Sequence, residues 1–238
     1  MSFNTLTPAV VSSEAFAWAG AVWRMVEAQH TASTMKVVDN DAEQDLLETL
    51  LEGSKPAQAA GTLALDYLLA TPFRYYPARG GSRFRAITDP GVFYGAESVR
   101  TAAAELGYWR WKFLKDAVDL DKLEPVAHTA FSADVSTQLV DLRRAPFVAD
   151  ASTWLHPTDY SATQAFARTA RAAKLGGIRY QSVRDPDPAW CVALLTPQAF
   201  AKPKPNPSLQ SWWLAVHPDA VSWRRESESM TFSAAAWS

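Results

Sequence analysis

The stretch "GGSRFRAITDPGVFYGAESVRTAAAEL", Gly80 to Leu106, decides how this chain is read. Its first half is glycine-rich and carries two arginines, as a phosphate-holding loop would, yet it spells neither G-x-x-x-x-G-K-[ST] nor G-x-G-x-x-G. The turn dipeptide Pro90-Gly91 divides it, so "FRYYPARGGSRFR" and "GVFYGA" are expected as short strands of a loop-rich sheet. From Glu97 to Ala117 the pattern turns helical. At about 100° per residue, Val99, Ala102, Ala103 and Leu106 form a buried stripe. Glu105 lies at its border beside Trp109, where a carboxylate can face a cleft.

Upstream, "GAVWRMVEAQ" alternates Val22, Arg24 and Val26 with Trp23, Met25 and Glu27, which predicts a strand with Arg24 on one face. "DAEQDLLETLLEG" opens with acids, lines up Leu46, Leu47, Leu50 and Leu51, and stops at Gly53. "TLALDYLLATP" predicts a second helix ended by Pro72. Together they predict a helical hairpin. Downstream, "HTAFSADVST" and "QLVDL" read as two strands, and "DYSATQAFARTARAAKLGG" as a helix with Ala162, Phe166 and Ala173 inward, Arg168 and Arg171 outward, and glycine at its end. "GIRYQSVRD" places Tyr180, Ser182 and Arg184 on one strand face, and "AWCVALLTP" reads as a central strand. Prolines make "AKPKPNPSLQ" a loop, followed by late strands at "SWWLAVHP" and "AVSWRR". The elements predict one α+β domain over residues 1–238, a mixed β-sheet core with flanking helices. A helical insertion is expected at about 39–70 and a polar tail at about 226–238.

Composition narrows the function. A length of 238 residues suits one substantial core, and 48% hydrophobic with 20% charged residues belongs to an ordinary globular protein. A net charge of −2, with no clustered lysines and arginines, argues against direct nucleic-acid binding. The single cysteine, Cys191, excludes an internal disulfide framework and suits a reducing cytoplasm, where we expect the protein to reside. No signal peptide or membrane span is expected. The four histidines, His30, His128, His156 and His217, lie far apart with no H-E-x-x-H pair, so no metal is expected. G-x-S-x-G is absent too, which removes the α/β-hydrolase reading.

What remains is a set of polar residues beside aromatics: Arg24, Arg83, Tyr94, Glu105 and Ser182, with eleven residues from Arg83 to Tyr94 and eleven more to Glu105. Through "GSRFR", "VFYGAESVRTAAAEL" and "GGIRYQSVRDPDPAWCVALLTP" the sequence resembles the RES-domain family of bacterial toxin–antitoxin toxins. The resemblance covers about 73–105 and 176–197, with "VWRMVE" as the matching first strand. It implies a fold like the diphtheria-toxin-like ADP-ribosyltransferases, with NAD as co-substrate. It also implies a cognate antitoxin, of helix-turn-helix type, that covers the active site. Some members hydrolyse NAD. ParT-like members, which the "SRFR" and "YWRW" wording is closer to, transfer ADP-ribose to a protein, phosphoribosyl pyrophosphate synthetase. Where members often carry Gly-Asn after the serine motif, "DPDPAW" stands here.

The residues fit that chemistry on their own terms. Cleaving the glycosidic bond of NAD releases neutral nicotinamide from a cationic ring, so the demand is to stabilise an oxocarbenium-like sugar. A carboxylate such as Glu105 meets it. Tyr94 can stack on the cationic ring. Arg83 and Arg24 can clasp the pyrophosphate, with Arg74 competing for the place of Arg24. Ser182 can donate to a phosphate or to the nicotinamide amide, and Arg184 shares its face. Each residue also has a plainer reading: Tyr94 as packing, Glu105 as a solvated helix residue, Arg83 as half of an ion pair and Ser182 as strand filler. The sequence leaves open transfer to a protein, transfer to water, and a non-catalytic nucleotide- or peptide-binding module.

Overall fold

The computed structural model describes residues 6–28, 40–75 and 81–237, so that His30 and Gly80 lie outside the described residues. In chain order the elements are α1 (Pro8–Ser13), β1 (Phe16–Glu27), α2 (Asp41–Ser54), α3 (Tyr67–Arg74), β2 (Phe93–Ala96), α4 (Val99–Asp116) and β3 (Leu123–Asp141). After a helical turn at Ala151–Trp154 come α5 (Ser161–Ala172), β4 (Gly177–Gln181), β5 (Trp190–Leu194), β6 (Gln210–Val216), β7 (Ala220–Arg225) and β8 (Glu228–Ser233).

The strands join in one mixed sheet, order β1-β2-β5-β4-β3-β6-β7-β8, with β1 also paired to β3. That pairing closes a ring of five strands, β1-β2-β5-β4-β3, while β6, β7 and β8 extend from the first half of β3. Only the β3–β4 ladder is parallel among the described strands. The β1–β2 seam rests on one register pair, Trp23 with Ala96, and there the ring opens into a cleft. One face of the sheet is covered by α4 and α5, through Ala102, Ala103, Ala104, Phe166 and Ala170. On the other face, α3 inserts Leu69 and Phe73 against Phe93 and Phe131. The α+β architecture of the sequence reading is what the structure contains.

Ser98 starts α4 by accepting from the Thr101 amide at 3.2 Å, one of the four donors a helix start leaves unsatisfied. Gly107 lets α4 lie close on β7, since a Cβ there would sit 2.9 Å from a Val221 methyl carbon. Among the described residues no helix is long and apolar enough to cross a membrane.

Several expectations need correction. Residues 82–85 form a tight turn, not a strand: the Ser82 amide donates to the Arg85 carbonyl at 2.7 Å, and Arg85 returns the bond at 3.1 Å. Phe73 and Arg74 close α3, and Pro72 sits inside its last turn without ending it there. The two strands expected within 128–142 are, up to Asp141, part of one strand of 19 residues, Leu123–Asp141. Leu46, Leu50 and Leu51 of α2 are exposed, so the expected hairpin buries its face only through α3. Past α5, Lys174 takes the left-handed position (φ 59°) ahead of the glycines, and Arg171 turns in to the Leu195, Pro90 and Gly91 carbonyls. Ser182 and Arg184 lie in a turn beyond β4, which stops at Gln181. The stretch expected as a polar tail contains edge strand β8, paired to β7 over its whole length.

The tight turn requires glycine at its entry. Gly81 has φ 82°, and a Cβ there would lie 2.2 Å from the Arg85 carbonyl oxygen, an atom that cannot move without breaking the turn. Gly81→Ala is therefore expected to cost more than ~1 kcal/mol, read as a thermal midpoint lowered by at least roughly 2–4 °C. An unchanged midpoint contradicts this.

Candidate active site

The opened β1–β2 seam is the mouth of a cavity of about 360 Å³, a size usual for small-molecule sites. Arg24 comes from β1, Tyr94 from β2, Glu105 from α4, Tyr180 from β4, Cys191 from β5 and Arg83 from the tight turn. The face of α4 that carries Glu105 continues to Trp109 at the rim, which is 46% exposed.

Glu105 accepts a hydrogen bond of 2.6 Å from the Ser182 hydroxyl and lies 3.8 Å from the Cys191 sulfur. Burial pushes its carboxyl above the usual carboxylate range, and the Ser182 bond and the charges of Arg83 and Arg184 pull it back. Ser182 is fully engaged: its oxygen also accepts from the amides of Arg184 at 3.2 Å and Asp185 at 3.0 Å. It therefore holds Glu105, a role the strand pattern did not suggest. Burial pushes the Cys191 thiol and the Tyr180 hydroxyl well up, which keeps both neutral.

The arginines of the cavity are held by backbone carbonyls and aromatic rings. Arg24 donates to the Tyr94 carbonyl at 2.9 Å and lies over the Phe93 ring. Its buried Nε has no partner, and burial lowers its guanidinium to about 10. Arg83 spends Nη1 on the Trp154 and His156 carbonyls at 2.9 and 3.0 Å and covers the Tyr160 ring. Arg184 lies 3.4 Å above the Tyr108 ring and donates to the Pro157 carbonyl. Among the described residues none of these three has a carboxylate at ion-pair distance. An unmatched buried cation is costly, so a ligand that brings negative charge fits here.

Tyr94 does two things. Its ring lines the cavity, while its hydroxyl accepts from the Phe84 amide at 2.9 Å and meets Ser82 Oγ at 2.7 Å, tying the tight turn to β2. Arg74 is not brought to the cavity. It donates to the Pro56 carbonyl at 2.6 Å, so of the two candidates Arg24 is the one placed at the site. Tyr180, Cys191, Tyr160 and Tyr108 were not singled out as site residues. Tyr180 carried a signal, two positions before Ser182 on one face. Tyr108 carried another, three residues after Glu105 on one helix. Among the described residues no group of three His, Cys, Asp or Glu side chains could hold a metal ion.

Two stability outcomes follow from this geometry. A carboxyl whose folded pKa is raised costs stability once pH exceeds its unfolded value, because the folded state holds its proton longer. Glu105→Gln keeps an acceptor for Ser182 and carries no charge, so at neutral pH it should melt higher, by roughly 2–4 °C per kcal/mol recovered. The gain should vanish at acid pH, where Glu105 itself is neutral. Tyr94→Phe leaves the Phe84 amide without its acceptor and should cost ~1–3 kcal/mol, measured by denaturant titration.

No curated protein matches the sequence significantly. Among solved structures, a chain of the M. tuberculosis MbcT–MbcA toxin–antitoxin complex is similar, at 12% identity and a TM-score of 0.49, the alignment covering 99% of this chain and 97% of that one. The family model described as RES domain matches residues 55–217, which takes in Arg83, Tyr94, Glu105, Ser182 and Arg184 and begins after Arg24. That match spans most of the sequence and includes every wall of the cavity except β1, so the chain belongs to the RES domain family.

Proposed function

We propose that this protein is the toxin of a toxin–antitoxin pair and that it consumes NAD by transferring ADP-ribose to a protein acceptor. Membership of the RES domain family supports a NAD-processing toxin. The observation that carries the reading to this cleft is the pairing of a braced, half-buried carboxylate, Glu105, with three arginines that have no carboxylate at ion-pair distance among the described residues. Arg24, through its unpartnered Nε, and Arg83 would take the pyrophosphate. The Tyr94 ring would lie on the nicotinamide.

In the reaction the bond between ribose C1′ and the nicotinamide nitrogen breaks, and its electron pair returns to the ring, which leaves neutral. Glu105 in its ionised form offsets the positive charge that develops on the sugar. The acceptor nucleophile then bonds to C1′ and gives its proton to that carboxylate. An antitoxin that covers the mouth around Trp109 would exclude NAD.

Purified protein incubated with adenylate-labelled NAD and bacterial lysate should put label on protein, and Glu105→Gln should abolish it. Nicotinamide release with no labelled protein would instead favour NAD hydrolysis, and no loss of NAD in any condition would remove both reactions. Arg24→Ala should weaken NAD binding by ~1.5–3 kcal/mol, about 10- to 100-fold, by calorimetry. The cationic nicotinamide favours ionised Glu105, so binding should release a proton and weaken as pH falls through the range where Glu105 protonates. Glu105→Gln should flatten that dependence.

A further inference from the structure

The turn that carries Ser182 and Arg184 is gripped from outside the cavity by Trp237. Its indole N–H donates to the Arg184 carbonyl at 2.7 Å. The ring packs against Tyr108 and Trp111, each at 5.7 Å between centroids, and stacks on Phe232 of β8. Tyr108 in turn lies beneath the Arg184 guanidinium. Arg100 secures the next residue by pairing with the buried Asp185 at 3.3 Å while lying over Phe232.

The Arg184 carbonyl and the Asp185 amide are two ends of one planar peptide unit. Trp237 binds the first end, and Ser182 Oγ accepts from the second at 3.0 Å. With its oxygen accepting two amides, the Ser182 hydroxyl points its hydrogen at Glu105, 2.6 Å away. An unbroken chain of hydrogen bonds therefore runs from the indole through one peptide plane and one hydroxyl to the carboxylate, each member polarising the next.

We infer that Trp237 is a positioning residue for Glu105, acting through the 184–185 peptide and Ser182. Its consequence for turnover rests on the function proposed above; its effect on the carboxylate does not. The groups facing Glu105 are Arg83 from the tight turn, Ser182 and Arg184 from the gripped turn, Cys191 from β5 and Tyr180 from β4. Of these, the turn members are the ones Trp237 reaches.

The test is Trp237→Phe in the full chain, which keeps an aromatic ring in the cluster and removes the N–H. The control is Trp111→Phe, which removes an N–H of the same cluster that donates to the Pro218 carbonyl, away from the turn. The Glu105 carboxyl titration, followed by carbon NMR without substrate, should move upward in Trp237→Phe and stay in place in Trp111→Phe. With NAD, Trp237→Phe should lower kcat/KM roughly three- to tenfold, the range of one hydrogen bond, and move the acid limb of the profile to higher pH. A Glu105 titration unchanged in Trp237→Phe, or shifted equally by Trp111→Phe, overturns the inference. A wild-type protein that leaves NAD intact overturns the functional reading alone, since the substrate-free titration still decides the positioning role.

Discussion

The hydrogen bond from Ser182 to Glu105 is the contact around which the cleft is organised. A carboxylate taken out of water loses solvation that only close donors and cations can replace. Here the replacement is partial, and burial still dominates. That leaves Glu105 with a residual need for positive charge, which a cationic substrate group or a developing oxocarbenium can meet. The rest of the site serves this placement: Ser98 starts α4 so that Glu105 falls on the cavity side, and the 182–185 turn brings the hydroxyl to it.

Charge is handled differently elsewhere in the molecule. Asp141, with its side chain fully buried, is met by Arg143, Arg144 and Arg179; burial pushes its carboxyl up, but hydrogen bonds from the guanidinium and amide of Arg143 and from the Arg179 guanidinium hold it below the usual carboxylate range. That cluster is self-satisfied. In the cavity, Arg24, Arg83 and Arg184 donate to carbonyls and lie over aromatic rings, arrangements that fix a guanidinium without cancelling its charge. The contrast separates a structural ion cluster from guanidiniums whose charge no neighbouring carboxylate takes up among the described residues.

Much of the site was legible along the chain. Arg83, Tyr94 and Glu105 sit in one continuous stretch where turn, strand and helix succeed one another, and local periodicity placed Glu105 at the edge of a buried face. Less was legible where long-range pairing outweighed local signals. The polar stretch that contains β8 read as a tail, yet an edge strand with one solvated face needs few apolar residues, and Phe232 suffices to anchor it. The tight turn at 82–85 looked like a strand because aromatic and β-favouring residues surround it. Part of what holds it is Gln164 of α5, which donates to the Ser82 carbonyl from 82 residues away in sequence and is invisible to any local window.

By itself the sequence determined the α+β class, the α4 stripe and the identity of the groups with chemistry to offer. Those depend on side-chain period and capping, which act within a few residues. Only the tertiary structure decided that Arg24 and not Arg74 reaches the cavity, that Ser182 serves Glu105, and that Trp237 grips the same turn. Each of those is set by contacts between segments far apart in sequence, where the closure of the β1–β2–β5–β4–β3 ring fixes the distances.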